Sequence, residues 1–449
     1  MNDAMLLEGD IKELIKRLSV PASTGFLFNT MFNVTDTLYA GMLSTDALAG
    51  LSLSFPAFFI IIAFTAGMGT GATAIISNEI GKMDIERVRK YIVNSISLSI
   101  ILSGLLTIAG RLSIGAMFNL MGAQGRSLKE ALGYMNVVLY GVVFFSLNAA
   151  LNSILSAYGD TKPYRNFLII GFFVNIILDP LFIFGIFGMP KMGTAGVALA
   201  TVAVQALGSA YLLKRIVQKG IFDGIGIYEI KPSIFHYFQI LQQGIPSALN
   251  MASIAAGMFV INYFIMEYSG AKTIAAYGIS LRIEQIALLP TIGLNVAVLS
   301  IVGQNFGAQK YERIWSAYKT SMIYGVAIMT LAMAVVFPFA KSLVGFFSRD
   351  SQVIISGAQY LRIEVFTFNT YVLLNVSISA LQGLKKPGFA VYIGLYRQLL
   401  MPVLIFPAFG EAMGFGVIGV WWGIFAVNWS AVFITIAYTM KIFSKKGII

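Results

Sequence analysis

The stretch SFPAFFIIIAFTAGMGTGATAIISNEIG, residues 54–81, carries no ionisable side chain from Ser54 to Asn78. A helix over those residues, rising about 1.5 Å per residue, exceeds the roughly 30 Å hydrocarbon core of a bilayer. The chain as a whole repeats this pattern. Of its 449 residues 57% are hydrophobic and 11% charged, with a mean hydropathy of +0.80. An average soluble protein is about 25% charged. Such a chain lacks the polar surface to cover a soluble core, and its hydrophobicity excludes disorder. A multi-pass membrane protein remains.

Twelve apolar runs read as spans: 13–41, 46–80, 88–112, 127–157, 163–188, 193–217, 237–266, 273–305, 313–342, 354–383, 387–408 and 414–441. Several exceed the roughly 20 residues a bilayer needs, so tilt or protrusion is expected. No segment alternates as the strands of a membrane β-barrel do. The polar, acidic start, MNDAMLLEGDIKELIKRLSV, does not read as a secretory signal peptide. With no Cys and a single His, His236, thiolate and His-based metal sites and Ser-His-Asp triads are excluded, and no enzyme is expected.

Charge sets orientation. Lys and Arg gather at the N-terminus, at the junctions after even-numbered spans and at the C-terminus, 21 against 7 on the opposite side. The positive-inside rule then places both termini in the cytoplasm, in a cytoplasmic (plasma or inner) membrane. The net charge of +11 is a topology signal. Spread over separate loops of one membrane face, it does not suit a nucleic acid.

The longest internal hydrophilic stretch, 218–236, divides the chain into an N-terminal lobe, 1–217, and a C-terminal lobe, 237–449. The halves match in order at a nearly constant offset. Gly81-x4-Glu86-Arg87 pairs with Gly307-x4-Glu312-Arg313, and Pro21 with Pro246. Gly50-Leu-Ser-Leu pairs with Gly278-Ile-Ser-Leu, Ser156-Ala157…Lys162-Pro163 with Ser379-Ala380…Lys386-Pro387, and Gly193-Thr-Ala-Gly196-Val with Gly416-Val-Ile-Gly419-Val. Six spans per repeat make the halves parallel. The expected fold is an all-α membrane protein of twelve transmembrane helices, in two six-helix lobes related by a pseudo-two-fold axis along the membrane normal. That is the architecture of alternating-access transporters.

Ionisable groups inside spans are costly and mark candidate sites. Asp36, Asp179, Arg282, Glu284, Glu364 and Arg397 lie well inside, with Arg362 near the start of span 10. Counting residues from the outer span ends puts Asp36 roughly 8 Å deep, Asp179 13 Å, Thr201 12 Å and Tyr134 10 Å. Asn175, one turn before Asp179, shares its face. Such oxygens suit a hard monovalent cation such as Na⁺, with Asp36, Asn175, Asp179 and Thr201 as its ligands. They also suit a proton, since a buried carboxyl beside a like charge takes one up more readily than a solvated one. The bland alternative makes Asp179-Pro180 an interhelical bond plus a kink and Asp36 an interfacial residue.

The second half shows no such pair at matching levels, where Asn262 and Arg397-Gln398 stand. Arg282 and Glu284, like Arg362 and Glu364, are two apart and so on different faces. Bonding between helices, for example Arg282 to Glu364, is expected, with a C-lobe polar or substrate site as the rival role. Gly67-Met-Gly-Thr-Gly71 superficially resembles a phosphate loop, but it lies in a span with no following Lys, so close helix packing is the better reading. His236 falls at a cytoplasmic boundary, in a solvated or interfacial role. Pro21 frees a backbone carbonyl inside span 1, as a hinge or a static kink. Some of the 35 Phe and 20 Met suit a cleft for flat apolar cations.

With these residues in view the chain resembles the multidrug and toxic compound extrusion (MATE) transporters, closest to the DinF-like and MepA-like branches. The likeness rests on Val302-Gly-Gln-Asn-Phe-Gly-Ala-Gln309, Leu381-Gln-Gly-Leu-Lys-Lys-Pro387, Asn175-Ile-Ile-Leu-Asp179-Pro180, Ala198-Leu-Ala-Thr201 and Asn33-Val-Thr-Asp36. It covers essentially the whole chain. The resemblance implies cation-coupled export of cationic amphipathic compounds, H⁺ or Na⁺ entering as substrate leaves. It assigns coupling to Asp36, Asp179, Asn175, Thr201 and Tyr134, and helix bending to Pro21. Two departures stand out. Gly244-Ile-Pro-Ser-Ala-Leu-Asn-Met-Ala-Ser253 lacks the span-7 Glu of the NorM-like branch, and Ser77-Asn-Glu-Ile-Gly81 lacks the Gln that many family members carry near this Gly.

The expected protein is thus an antiporter, not an enzyme. It needs no cofactor beyond its coupling ion, and works in the lipid bilayer as a monomer on small organic cations. A lipid-linked saccharide or other metabolite exporter of the same superfamily is the rival; it would need a cationic cleft, for which only Arg282, Arg362 and Arg397 could serve. An intramembrane aspartyl protease lacks its Gly-x-Gly-Asp context here, and a channel would show no dependence on a cation gradient.

Overall fold

The computed structural model describes residues 5–224, 226 and 231–449. Among them are helices and turns and no strand. A short helical turn, Met5–Glu8, precedes α1, Ile11–Leu43. Then follow α2 Thr45–Gly81, α3 Ile85–Leu120, α4 Gly125–Ala157, α5 Lys162–Phe184, α6 Thr194–Gln218, α7 Ile234–Tyr268, α8 Ala271–Gly307, α9 Tyr311–Phe347, α10 Ser351–Gly383, α11 Gly388–Ala412 and α12 Val417–Lys445. The eleven from α2 onward are long and apolar enough to cross a membrane. With 33 residues α1 has the length, but Asn29, Thr30, Asn33, Thr35, Asp36 and Thr37 crowd its second half. The all-helical membrane fold expected from hydropathy is the observed one.

The chain forms two compact units. Unit 1 is Thr24–Ala248; unit 2 is Leu249–Ile449 with the described residues up to Ser23. The unit edges therefore fall inside α1 and inside α7. Within unit 1, α2 lies directly on the first half of α7. A Cβ at Gly67 would stand 2.5 Å from Ala248 N, and one at Gly71 2.6 Å from Gly244 N. The glycine string is a packing surface, since only small residues let helix backbones approach this closely. Within unit 2, Gly293 of α8 packs in the same manner on Ser19 of α1.

The turns make the internal repeat visible. Met83, Gly159, Gln309 and Lys385 all adopt left-handed φ, between 57° and 73°. In each turn the next amide reaches back five residues: Asp84 N to Glu79 O, Asp160 N to Leu155 O, Lys310 N to Asn305 O and Lys386 N to Leu381 O, at 2.8–3.2 Å. These are Schellman closures, which satisfy carbonyls that a helix end leaves unpaired. The α2–α3 turn recurs at an offset of 226 in α8–α9, and the α4–α5 turn recurs at the same offset in α10–α11. The pairing of Ser156 with Ser379 at 223–224 is therefore corrected: a two-residue likeness is too short to fix register, whereas a φ > 0 position is unique in each turn. At α6 and α12 the offset of 223 does hold. Gly193 (φ 60°, ψ −132°) and Gly416 (φ 55°, ψ −134°) share one conformation.

Of the hydrophilic stretch 218–236, residues 225 and 227–230 lie outside the described residues. The rest is tied down within unit 1: Lys219 pairs with Asp160, Arg89 Nη2 donates to Asp223 O at 2.8 Å, and Ser233 N donates to Asn94 Oδ1 at 2.9 Å.

Candidate functional site

Three helices of unit 1 supply the acidic site. α1 contributes Asp36, 5% exposed, and α5 contributes Asp179 and Asn175, both fully buried. Thr201 comes from α6. One helical turn separates Asn175 from Asp179, and Asn175 Nδ2 donates to Asp179 Oδ1 at 3.2 Å. Thr201 Oγ1 reaches Asp36 Oδ2 at 3.0 Å and its own helix's Val197 O at 3.1 Å. The Asp36 and Asp179 carboxyls lie within electrostatic range of each other. Tyr134 of α4 is buried within electrostatic range of both acids. The structure thus brings together all five residues singled out from sequence.

Three oxygens in this pocket, Asp36 Oδ1, Asn175 Oδ1 and Asp179 Oδ2, have no protein donor. Buried polar atoms are ordinarily paired. Two carboxylates within electrostatic range away from water repel, and a proton or an oxygen-liganded monovalent cation relieves that repulsion. The donor set, all oxygen, fits either. No cluster of three or more His, Asp or Glu fit for a metal ion occurs among the described residues. Sequence reasoning missed Tyr39, whose OH donates to Ile176 O at 3.3 Å and ties α1 to α5 beside the site. Its spacing of three from Asp36 was the available signal. Pro21 is not part of this site. It lies 15 residues before Asp36, about 22 Å along the helix, in the portion of α1 that belongs to unit 2.

Unit 2 overturns the expectation that paired acids are confined to the first half. Glu284 of α8 and Glu364 of α10, 4% and 1% exposed, lie within electrostatic range of each other. Tyr360 OH donates to Glu284 Oε2 at 2.9 Å, and Tyr371 OH to Glu364 Oε1 at 3.2 Å. Thr367 also bonds Glu364 Oε1, while Glu364 Oε2 has no donor. Arg397 lies within electrostatic range of both acids and 5.7 Å from the Tyr371 ring centroid. It sits in a π-helical segment, Tyr396–Leu400, an irregularity often found at functional sites.

The expected bond from Arg282 to Glu364 is absent. Arg282 and Arg362 are exposed, because their helices turn the Glu faces inward and the residues two away necessarily outward. The full stripe Tyr360, Glu364, Thr367, Tyr371, spaced four, three and four, was legible as one helix face but was not singled out. His236 is half-buried, edge-on to Tyr91 with ring centroids 4.8 Å apart.

Buried, paired acids on membrane-spanning helices suit a transporter. The MatE family profile matches residues 21–181 and again 246–406, each match displaced by 225 residues from the other. The chain belongs to the MATE family of multi-pass membrane transporters. It is 28% identical to a probable multidrug resistance protein NorM of Thermotoga maritima, over 92% of this chain and 89% of that protein. It is 27% identical to an FAD transporter of Shewanella oneidensis, over 88% and 87%. A solved MATE transporter in an outward-facing conformation shares the fold at a TM-score of 0.93 and 27% identity, covering 100% of this chain and 99% of that one. MATE structures described as bent and as straight give the same score and identity, again over 100% of this chain and 98% and 99% of theirs.

Proposed function

We propose that the protein is a cation-coupled antiporter that exports cationic amphipathic drugs or toxic compounds by alternating access. The observation that carries this reading is the Asp36–Asp179 pair with its three undonated oxygens. H⁺ or Na⁺ arriving from outside occupies the pair, lowers its charge and changes the packing of α1 against α5 and α6. Substrate leaves because the two ligands favour opposite states, which is the only way binding at one site can drive release at another. Pro21, which lacks the N–H a helix would use, is the place where α1 bends. Solved relatives described as bent and as straight support a bending motion in proteins of this kind.

In unit 2, Glu284 and Glu364 outnumber Arg397 and leave one excess negative charge when both are ionised, a suitable partner for an organic monocation. Arg397 faces these acids and is not free to hold a pyrophosphate. That favours cations over an anionic metabolite such as the FAD carried by the Shewanella relative. Efflux of an ethidium-like dye from proteoliposomes, with a proton gradient and a Na⁺ gradient imposed separately, tests the reading. Wild type is expected to follow one gradient, and folded Asp36→Asn and Asp179→Asn variants to lose at least tenfold of the driven flux. Flux that ignores both gradients, or variants that pump normally, overturns it.

A further inference from the structure

Unit 1 encloses a cavity of about 200 Å³ between α2, α3 and α4, closed at one end by Ile240 of α7. It is separate from the acidic site and shares no residue with it. Its walls are Phe64, Met68, Leu98 and Leu102 together with several hydroxyl residues. Three of the four, all but Ser146, donate to carbonyls of their own helices. Thr65 bonds Ile62 O at 3.1 Å, Ser95 bonds Tyr91 O at 2.6 Å and Ser99 bonds Ile96 O at 2.7 Å. The remaining lining is almost wholly carbon, so the cavity suits an apolar ligand better than water, which needs two or more polar partners.

The opposite half of the chain shows how such a space is closed. At the offset of 226, Met68, Ser99 and Ser146 correspond to Leu294, Gly325 and Val372. In unit 2 these three are in tight contact: a Cβ on Gly325 would run into Val372 Cγ1 and stand 3.0 Å from Leu294 Cδ1. In unit 1 all three equivalents line the cavity. The branched side chain that closes one unit is replaced by serine in the other.

The mouth lies at Leu105, 58% exposed, and at exposed Ala109. Both belong to an apolar strip on α3 with Ile101, Ile108 and Leu112, which are 47%, 61% and 82% exposed. On a membrane-spanning helix such a strip is covered by lipid, so the cavity is continuous with the lipid interface. From Ser95 to Ala109 the slot follows α3 for about 21 Å, the shape of an extended chain rather than a flat ring system.

We propose that this slot binds one acyl chain of a bilayer lipid, taken in sideways past Leu105 and Ala109 of α3. The test uses the full chain in phosphatidylethanolamine–phosphatidylglycerol vesicles that contain a phospholipid with a mid-chain diazirine. After illumination, cross-links are mapped by mass spectrometry. They are expected on Phe64–Ala72 and Ser146–Ala150 as well as on the outer strip around Leu112. A Ser146→Val/Ala150→Val variant, which copies Val372 and Val376 of unit 2, should cut the inner cross-links at least fivefold and leave the strip unchanged. Should that variant misfold, the wild-type map still decides. Cross-links confined to the strip overturn the proposal, as does an unchanged yield in the filled, folded variant. Displacement of the inner cross-links by an ethidium-like dye also overturns it, and assigns the slot to a transported compound.

Discussion

Thr201 of α6 donates its hydroxyl to Asp36 of α1 at 3.0 Å, a bond between residues 165 positions apart. It links the acid on the first helix to a neighbour that does not move with it along the chain. A hydrogen bond to a charged group contributes about 1.5–3 kcal/mol. Thr201→Val should therefore reduce gradient-driven transport by roughly tenfold or more, while Thr201→Ser keeps the hydroxyl and stays near wild type. Initial efflux rates in proteoliposomes separate the two.

Two α-helical starts demand glycine. Gly193 and Gly416 share a backbone conformation near φ 57°, ψ −133° that side-chain-bearing residues rarely adopt. Strain of this kind costs on the order of 1–3 kcal/mol. Gly193→Ala and Gly416→Ala should each lower the thermal midpoint of the purified protein by similar amounts, and the double variant by about their sum. A null effect at either position contradicts the geometry.

The four left-handed turns offer a gain as well as a loss. Only one of them uses glycine, Gly159, while Met83 and Gln309 carry side chains at φ 59° and 57°. A non-glycine residue there costs about 1–2 kcal/mol, part of which glycine's extra unfolded-state freedom offsets. Gly159→Ala should destabilise by about 1 kcal/mol, and Met83→Gly and Gln309→Gly should stabilise by a smaller amount. Thermal or denaturant unfolding in one detergent reads all three.

Asp350 caps α10, accepting from Gln352 N at 2.9 Å and Val353 N at 3.4 Å, and pairs with Lys272 Nζ at 3.0 Å. The Lys272 bond, with these amides, holds its carboxyl below the usual range. A depressed folded value means the stabilisation is present at neutral pH and fades as pH falls through that value. Asp350→Asn keeps an N-cap and removes the charge. Wild type should melt slightly above the variant at pH 7, and the gap should begin to shrink once pH falls below the ordinary Asp value of about 3.9 and vanish beneath the depressed one. A gap that persists or widens in acid runs against this assignment.

The acidic site of unit 1 could be read from sequence because each contributor announces itself locally. Asp and Asn in an apolar run are conspicuous, and their depth follows from a constant helical rise. The unit 2 site was half hidden. Glu284 and Glu364 were noticed, but each sits two residues from an arginine, and charge alone suggested arginine partners. The partners are instead Tyr360, Thr367 and Tyr371, ordinary residues in a chain with 20 Tyr, distinguished only by which face of α10 turns inward.

Sequence by itself determined the helices, their number and their repetition, because helix formation in a bilayer depends on local hydrophobicity and backbone hydrogen bonds made within four residues. Tertiary structure alone decided which faces meet. It assigned the first halves of α1 and α7 to their units, set Glu284 against Glu364, and left a slot beside Ser99 where Gly325 is tightly packed. Those outcomes depend on side-chain volume and close approach between segments far apart in the chain, and no local period records them.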